Sequence, residues 1–297
     1  MKTNTIHYDY CPLCHGADLT LHMTATDHLV SGLRFDIVRC RTCGFLFTQD
    51  APTPDAIDPF YESMNYQPHN DGRGLVSMAY RRVRSLMLCR KGALIHGYHK
   101  QRGVLIDVGA GSGHFMAYMR HQGWQVMGCE QSERARDEAW QRDGLRLDGD
   151  VMSVDYPQAC ADVITAWHAM EHIHDLHRLW DSLNKWLKAD GLLVVAVPNS
   201  QSLDARHYGN HWAAWDVPRH LWHFSAATME SLGMRHGFNL VATNALLLDA
   251  CYIAMLSDHS KFKALVSGFR FTLQGALHPQ QASSLIYLFQ KTDDGNM

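Results

Sequence analysis

The feature that most constrains this chain is an apolar run, Val104-Leu105-Ile106-Asp107-Val108, that stops at Gly109-Ala110-Gly111-Ser112-Gly113 and continues in a helical pattern to residue 122. A strand that ends in glycines and turns at once into a helix leaves backbone N–H groups open to an approaching ligand. The texture repeats: strands are predicted at 125–130, 162–167 and 192–197, helices at 132–142 and 175–188, and a short third strand at 145–147. Continuous apolar runs joined by helices belong in a parallel sheet covered on both faces, so the expected fold class is α/β. Glu130 closes the second strand, where a carboxylate accepts from both hydroxyls of a ribose. The glycine spacing is G-x-G-x-G, not the G-x-G-x-x-G of a pyrophosphate loop, which places a dehydrogenase last.

At 297 residues and 46% hydrophobic, the chain has room for one full α/β domain and a small companion. Four of the eight cysteines mark the companion: Cys11 and Cys14 form one C-x2-C pair, Cys40 and Cys43 a second, with 25 residues between. Each pair can wrap a tight turn whose amides point at thiolate sulfur, and four sulfurs close a tetrahedron, which is the spacing of a structural zinc ribbon. An iron site and a reducible disulfide are the alternatives. So short a segment has too little core to hold itself, so the metal is expected to act as a folding staple. Cys89, Cys129, Cys160 and Cys251 stand singly among apolar neighbours and read as small buried hydrophobes. The polar N-terminus and the lack of a long apolar window predict a cytoplasmic protein without a transmembrane helix. A formal charge of −3 provides no global field for nucleic acid.

The expected domains are a zinc ribbon at 1–48, a linker and basic helical arm at 49–102, and a cofactor-binding domain at 103–297. The linker carries Pro52, Pro54, Pro59 and Pro68, with Phe60, Tyr61 and Tyr66 suited to packing. Between residues 72 and 106 there is no acid, while Arg73, Arg81, Arg82, Arg84, Arg90, Lys91, Lys100 and Arg102 supply eight positive charges. These flank an apolar stripe of Val76, Ala79, Tyr80, Val83, Met87, Leu88 and Leu94. Such a helix presents a solvated face or a surface for an anionic substrate or acidic lipid.

The residues from Val104 to Gly113, Glu130, Gly149-Asp150-Val151, Glu171-His172-Ile173-His174-Asp175, Leu187-Lys188-Ala189-Asp190-Gly191-Leu192 and Val197-Pro198-Asn199 together resemble class I S-adenosylmethionine-dependent methyltransferases. With the cysteine pairs and Trp215-Asp216-Val217-Pro218-Arg219-His220-Leu221-Trp222-His223-Phe224, the chain is similar to a bacterial branch with an N-terminal zinc ribbon. That branch acts on sugars, secondary metabolites and envelope polysaccharides, and is related to quinone-biosynthesis O-methyltransferases. The resemblance implies a Rossmann-like seven-stranded methyltransferase sheet ending in an antiparallel hairpin at 240–247 and 284–290. It also implies that Asp107, Gly109, Ala110, Gly111 and Gly113 hold the amino-acid part of S-adenosylmethionine. Glu130 with Gln131 would hold the ribose, Asp150 with Val151 the adenine, and Trp167 and His168 would face the sulfonium.

In-line transfer from a sulfonium is accelerated chiefly by alignment, and a base is needed only for O–H or N–H acceptors. His220 is the first candidate base, then His168 and His223, with Arg219 placed to meet an anionic group on the acceptor. The string His168, Glu171, His172 matches an inverted zinc-protease motif, but it starts at a strand end rather than inside a helix. Related quinone O-methyltransferases hold a divalent ion around this strand end, which makes these three residues candidate ligands for a second ion. The aromatic stretch at 204–215 suits an acceptor pocket or a lid anchor. The apolar-basic stretch at 250–277 has core packing as its ordinary fate, with a lid, a homodimer face or peripheral membrane contact as alternatives. The leading function is methyl transfer to a small molecule: a sugar, sugar nucleotide, lipid-linked intermediate or phenol. An RNA-modifying methyltransferase and a non-catalytic cofactor-binding scaffold are the competing readings.

Overall fold

The computed structural model describes residues 4–61, 75–258 and 260–292. Tyr66, Pro68 and Arg73 lie outside the described residues, as do the side chains of Val76, Ala79 and Tyr80. The chain begins with β1 (Thr5–Ile6), β2 (Leu19–Thr26), β3 (Arg34–Cys40), β4 (Leu46–Thr48), β5 (Ala51–Pro52) and the long α1 (Leu75–Tyr98). It continues with β6 (Val104–Val108), α2 (His114–His121), β7 (Gln125–Cys129), α3 (Glu133–Asp143), β8 (Ala161–Trp167), α4 (Leu176–Trp186) and β9 (Leu187–Pro198). The remainder is α5 (Leu203–Tyr208), β10 (Trp222–His223), α6 (Ala226–Arg235), β11 (Phe238–Ala245), α7 (Asp249–Ser257), α8 (Lys261–Leu277) and β12 (Ser284–Lys291).

The central sheet has the order β11-β12-β9-β8-β6-β7. β7, β6, β8 and β9 pair in parallel, and β12 runs antiparallel between β9 and β11. Among the described residues it therefore has six strands rather than seven. The strand predicted at 145–147 is reduced to one parallel bridge between Cys129 and Asp148. Gly144 caps α3 in the left-handed region and Asp150 caps the next helical turn, Val151–Ser153, so too little extended chain is left for a ladder.

Strand parity sorts the core into two layers. Ile106, Ile164, Val195 and Tyr287 pack with Leu179, Trp180 and Leu183 of α4 and Met229 and Leu232 of α6. Leu105, Val163, Val194 and Ile286 pack on the opposite face with Ile95 of α1 and Phe115 and Met119 of α2. Asp107 and Thr165 share the parity of this second face and so look toward α1.

The N-terminal strands form an antiparallel sheet, β10-β4-β3-β2, whose edge strand β10 comes from far along the chain, with Trp222 opposite Phe47 and His223 opposite Leu46. Phe45 stacks on Trp222 at 6.0 Å, Trp222 Nε1 donates to the Ile173 carbonyl at 2.7 Å, and His177 Nε2 donates to the Pro12 carbonyl at 2.8 Å. Cys11, Leu13, Phe45 and Phe47 belong to the same buried cluster as Trp180 and Phe224, so this segment shares a core with the α/β domain. Part of the linker joins it: Ala51–Pro52 pairs with Thr5–Ile6, and Phe60 packs edge-on against Phe35. Of the four single cysteines, Cys129 is buried, but Cys89 is exposed because it falls on the solvent side of α1.

Candidate cofactor site and its mouth

The two cysteine pairs converge. Cys11 Sγ lies 3.6 Å from Cys43 Sγ and Cys14 Sγ lies 3.6 Å from Cys40 Sγ, with all four within 4.8 Å of one another. A metal–sulfur distance of about 2.3 Å gives a tetrahedron with edges of about 3.8 Å, so the cluster fits one ion, and these separations are far beyond a disulfide bond of about 2.0 Å. The amides of Leu13 and Cys14 point at Cys11, and those of Thr42 and Cys43 point at Cys40.

The glycine-rich loop sits where β6 ends. Gly109, Gly111 and Gly113 have φ of 68°, 54° and 73°, in the left-handed region that favours glycine. A Cβ on Gly109 would lie 2.4 Å from the Ala169 side chain, whereas one on Gly111 would meet nothing within 4 Å. The loop thus presents bare backbone to open space. The amides of Gly109 and Ala110 bond the Cys129 carbonyl at 3.0 Å, tying the loop to the end of β7. Beside it, Glu130 accepts from the amides of Gly111 at 2.8 Å and Ser132 at 2.9 Å. Gln131 is exposed next to it. Asp150 Oδ1 accepts from the Met152 amide at 3.1 Å, and Val151 is buried. These predicted residues gather along the carboxyl ends of β6 and β7, the edge at which open parallel sheets bind ligands.

Asp107 is buried and accepts from the Thr165 hydroxyl. Burial pushes its carboxyl up to about 7, against that hydrogen bond and the charge of Lys91. Lys91 itself was not singled out by sequence reasoning. Its ammonium stands 4.1 Å from the Trp167 ring centroid, and burial lowers its pKa while Asp107 and Asp249 oppose the shift. The available signal was positional: Leu88, Lys91 and Leu94 share one face of α1, and both leucines pack on the second core layer. A lysine between two half-buried leucines that face the core has a partner inside.

The histidines separate by their partners. His168, at φ 53°, contacts Asp249 Oδ2 through Nε2 at 2.7 Å and Glu171 Oε1 through Nδ1 at 3.3 Å. Burial alone would lower its pKa, but the two carboxylates raise it to about 10. It is therefore a fixed cation at neutral pH, which removes it as a proton acceptor. His223 is buried with Nε2 3.0 Å from the Thr48 hydroxyl, and burial and His220 hold its pKa well below the ordinary value. It serves the β4–β10 junction, because its partner lies on the N-terminal sheet. His220 donates Nδ1–H to the Ala214 carbonyl at 2.9 Å and turns Nε2 toward Glu171, 4.0 Å away, and Asp216, 3.8 Å away. His172 packs edge-on against it at 4.6 Å, and burial and His220 lower its pKa to about 4.

Arg219, expected to meet an anionic acceptor, is 1% exposed and occupied within the protein. Nη2 donates to Asp27 at 2.9 Å and to Asp216 at 2.6 Å, and Nη1 donates to the Phe60 carbonyl at 2.8 Å. The stretch at 204–215 anchors this segment: Trp212 and Trp215 are buried against Ala25, Ile37 and Leu46 of the N-terminal sheet and Ile253 of α7. Met170–His172 is a single 3-10 turn, so the protease-like string has no helix to display it.

A doubly covered sheet with one antiparallel strand inserted near its edge, and a bare glycine loop facing an acid on the next strand, define a Rossmann-like methyltransferase fold. The family model described as a methyltransferase domain matches residues 80–243, and the chain belongs to that family. A curated relative, an uncharacterized methyltransferase from Alkaliphilus oremlandii (strain OhILAs), is 27% identical over 103 residues, covering 33% of this chain. The chain spans about half, 46%, of that relative. Among solved structures, geranyl diphosphate C-methyltransferase from Streptomyces coelicolor A3(2) superposes with TM-score 0.54 at 14% identity, over 76% of this chain and 86% of that one. Phosphoethanolamine N-methyltransferase 2 from Haemonchus contortus gives TM-score 0.54 at 15% identity, over 84% and 63%. At these identities the likeness concerns the fold.

Proposed function

We propose that this protein transfers a methyl group from S-adenosylmethionine to a small-molecule acceptor at the carboxyl edge of β6, β7 and β8. The observation that carries the reading is the loop of three left-handed glycines, open at Gly111, with Glu130 bonded to it. When bound, S-adenosylmethionine supplies a methyl group on a sulfonium whose sulfur leaves with the bonding electron pair. Glu130 accepts from the ribose hydroxyls, and the second oxygen of Asp150 accepts from the adenine amine. With the amides at 109–111 already bonded within the protein, the loop carbonyls and Asp107 accept from the ammonium of the amino-acid end, and Lys91 meets its carboxylate. His220 is the base for an acceptor that must lose a proton: its Nδ1–H is committed to Ala214, so Nε2 takes the proton and Glu171 stabilises the resulting cation. His168 holds Glu171 in place.

Glu130→Ala removes two hydrogen bonds to a charged group, each of about 1.5–3 kcal/mol. Titration calorimetry is therefore expected to show S-adenosylhomocysteine binding weakened at least hundredfold in a variant that still unfolds cooperatively, although the amides of Gly111 and Ser132 lose their acceptor. Absence of binding to the wild-type protein would sink the reading. Lys91→Met is expected to weaken S-adenosylhomocysteine about tenfold or more while leaving methylthioadenosine, which lacks the carboxylate, unaffected. An equal loss for both ligands would show that Lys91 only shapes the fold.

Zinc is the ion proposed for Cys11, Cys14, Cys40 and Cys43. A second divalent ion is favoured by one observation: Glu171 Oε2 is buried without a partner among the described residues, in a carboxylate held down to about 2 by His168 and His220 against the burial penalty. Its ligands would be Glu171, His172 and His220, whose donor atoms lie within 4.8 Å of one another, in place of the expected set with His168. With Nδ1–H committed to Ala214, Nε2 of His220 would then be a ligand and not the base, so this ion is the alternative to the proton-transfer role of His220. On that alternative, elemental analysis gives two ions per chain, falling to one in Glu171→Gln; one ion in the wild type removes the second site and leaves His220 as the base.

A further inference from the structure

α8 is amphipathic in reverse. Its inward positions are mostly small, with Ala264, Gly268 and Gly275 buried, and a Cβ on Gly268 would lie 2.8 Å from Cys251 Cα of α7. Its outward positions are large: Phe262, Leu265, Val266, Phe269, Leu273 and Leu277 recur at three- and four-residue steps and are 53–77% exposed. On α7, Tyr252 and Met255 are also more than half exposed. Phe271 alone of the large residues on α8 is buried, and a helix that buries its glycines while showing Phe262, Phe269 and four aliphatic side chains has been built around something outside this chain's own core.

The charge of the hairpin narrows the choice of occupant. α8 carries Lys261, Lys263 and Arg270 and no carboxylate. The acids nearby are engaged, Asp249 with His168 at 2.7 Å and Asp258 with the Tyr208 hydroxyl at 3.1 Å. A two-fold contact between copies would set these cations against their own mates with no acid on α8 to offset them. An anionic bilayer offers an apolar layer for the rings and leucines and phosphates for the cations, whose long stems reach to the surface. We propose that the α7–α8 hairpin docks on an anionic lipid surface, with Phe262, Leu265, Phe269 and Leu273 at the headgroup–acyl boundary and Lys261, Lys263 and Arg270 on lipid phosphates. The docking does not depend on methyl transfer and is read without it.

The test is co-sedimentation of the full chain with vesicles of phosphatidylcholine alone or with about one third phosphatidylglycerol, at low and high salt. Three cations are expected to give roughly hundredfold tighter binding to the anionic vesicles, lost at high salt. The triple variant K261Q/K263Q/R270Q should fall to the level seen with neutral vesicles. F262S/F269S should lose binding to both, with an unchanged unfolding midpoint because these side chains are exposed. Equal binding of the wild type to both vesicles, or none, overturns the proposal. So does a wild-type dimer by light scattering that F262S/F269S dissociates, since a second copy would then be the occupant.

Discussion

Replacing Cys40 with serine is expected to unfold more than the segment that carries it. With zinc proposed at the four cysteines, the ion would pin the two turns that seat Cys11, Leu13 and Phe45 in the shared core, and apparent folding energies of structural zinc in small fingers are roughly 10–16 kcal/mol. The loss passes to the proposed active-site mouth because β10 has β4 as its sheet partner, through the pairs Trp222 with Phe47 and His223 with Leu46. Leu221, Trp222 and Phe224 also share their buried cluster with Phe45 and Cys40. His220 lies one residue before this stretch, so its placement over Glu171 depends on it. Hydrogen exchange should show that Cys40→Ser strips protection from Leu46–Thr48 and Trp222–His223 while β6, β8 and β9 keep theirs. Methyl transfer should fall with cofactor binding largely kept. Retained protection at Trp222–His223 in the variant would mean that the mouth stands without the metal.

Arg219→Ala is expected to destabilise the protein by about 3–5 kcal/mol, the usual cost of removing one partner from a buried ion pair. The charge left behind is the reason. Asp27 is 1% exposed, organises the turn between β2 and β3 by accepting from the amides of Leu29, Val30 and Ser31, and would remain buried without its cation. Arg219→Lys should recover only part of the loss, because an ammonium cannot reproduce the forked contacts to Asp27, Asp216 and the Phe60 carbonyl. Burial alone raises the Asp27 carboxyl, but Arg219 and Ser31 hold it below its ordinary value. A depressed folded-state pKa contributes stability above the unfolded value of about 3.9, and the contribution is lost as pH falls through the folded one. The gap between wild type and Arg219→Ala in urea denaturation should therefore narrow from pH 7 toward pH 3. A gap under about 1 kcal/mol at pH 7, or one independent of pH, would show that the pair is not what locks the N-terminal sheet to the mouth.

Local pattern carried much of the fold. β6 and its loop fall where an apolar run meets three glycines, and the final hairpin starts within two residues of its expected position. Leu145-Arg146-Leu147 has apolar strand character too, yet it forms one bridge, because capping by Gly144 and Asp150 claims the backbone on either side. The stretch at 250–277 was legible as apolar and helical, but its periodicity is the same whether the large residues face in or out. Only the seating of Gly268 on Cys251 settles that they face out.

The sequence by itself determined the parallel sheet, the loop with Glu130 and Asp150 beside it, and the two cysteine pairs, since each depends on residue types at fixed short spacings. Tertiary structure decided the chemistry of the charged side chains. His168 became a fixed cation because Asp249, 81 positions later, meets its ring. Arg219 was withdrawn from the acceptor by Asp27, 192 positions earlier, and Lys91 was brought from α1 to Trp167, near the charges of Asp107 and Asp249. Whether a histidine is a base, a cation or a strut depends on its burial and on which charges share that burial, and those neighbours are chosen by how the elements pack, which spacing along the chain does not record.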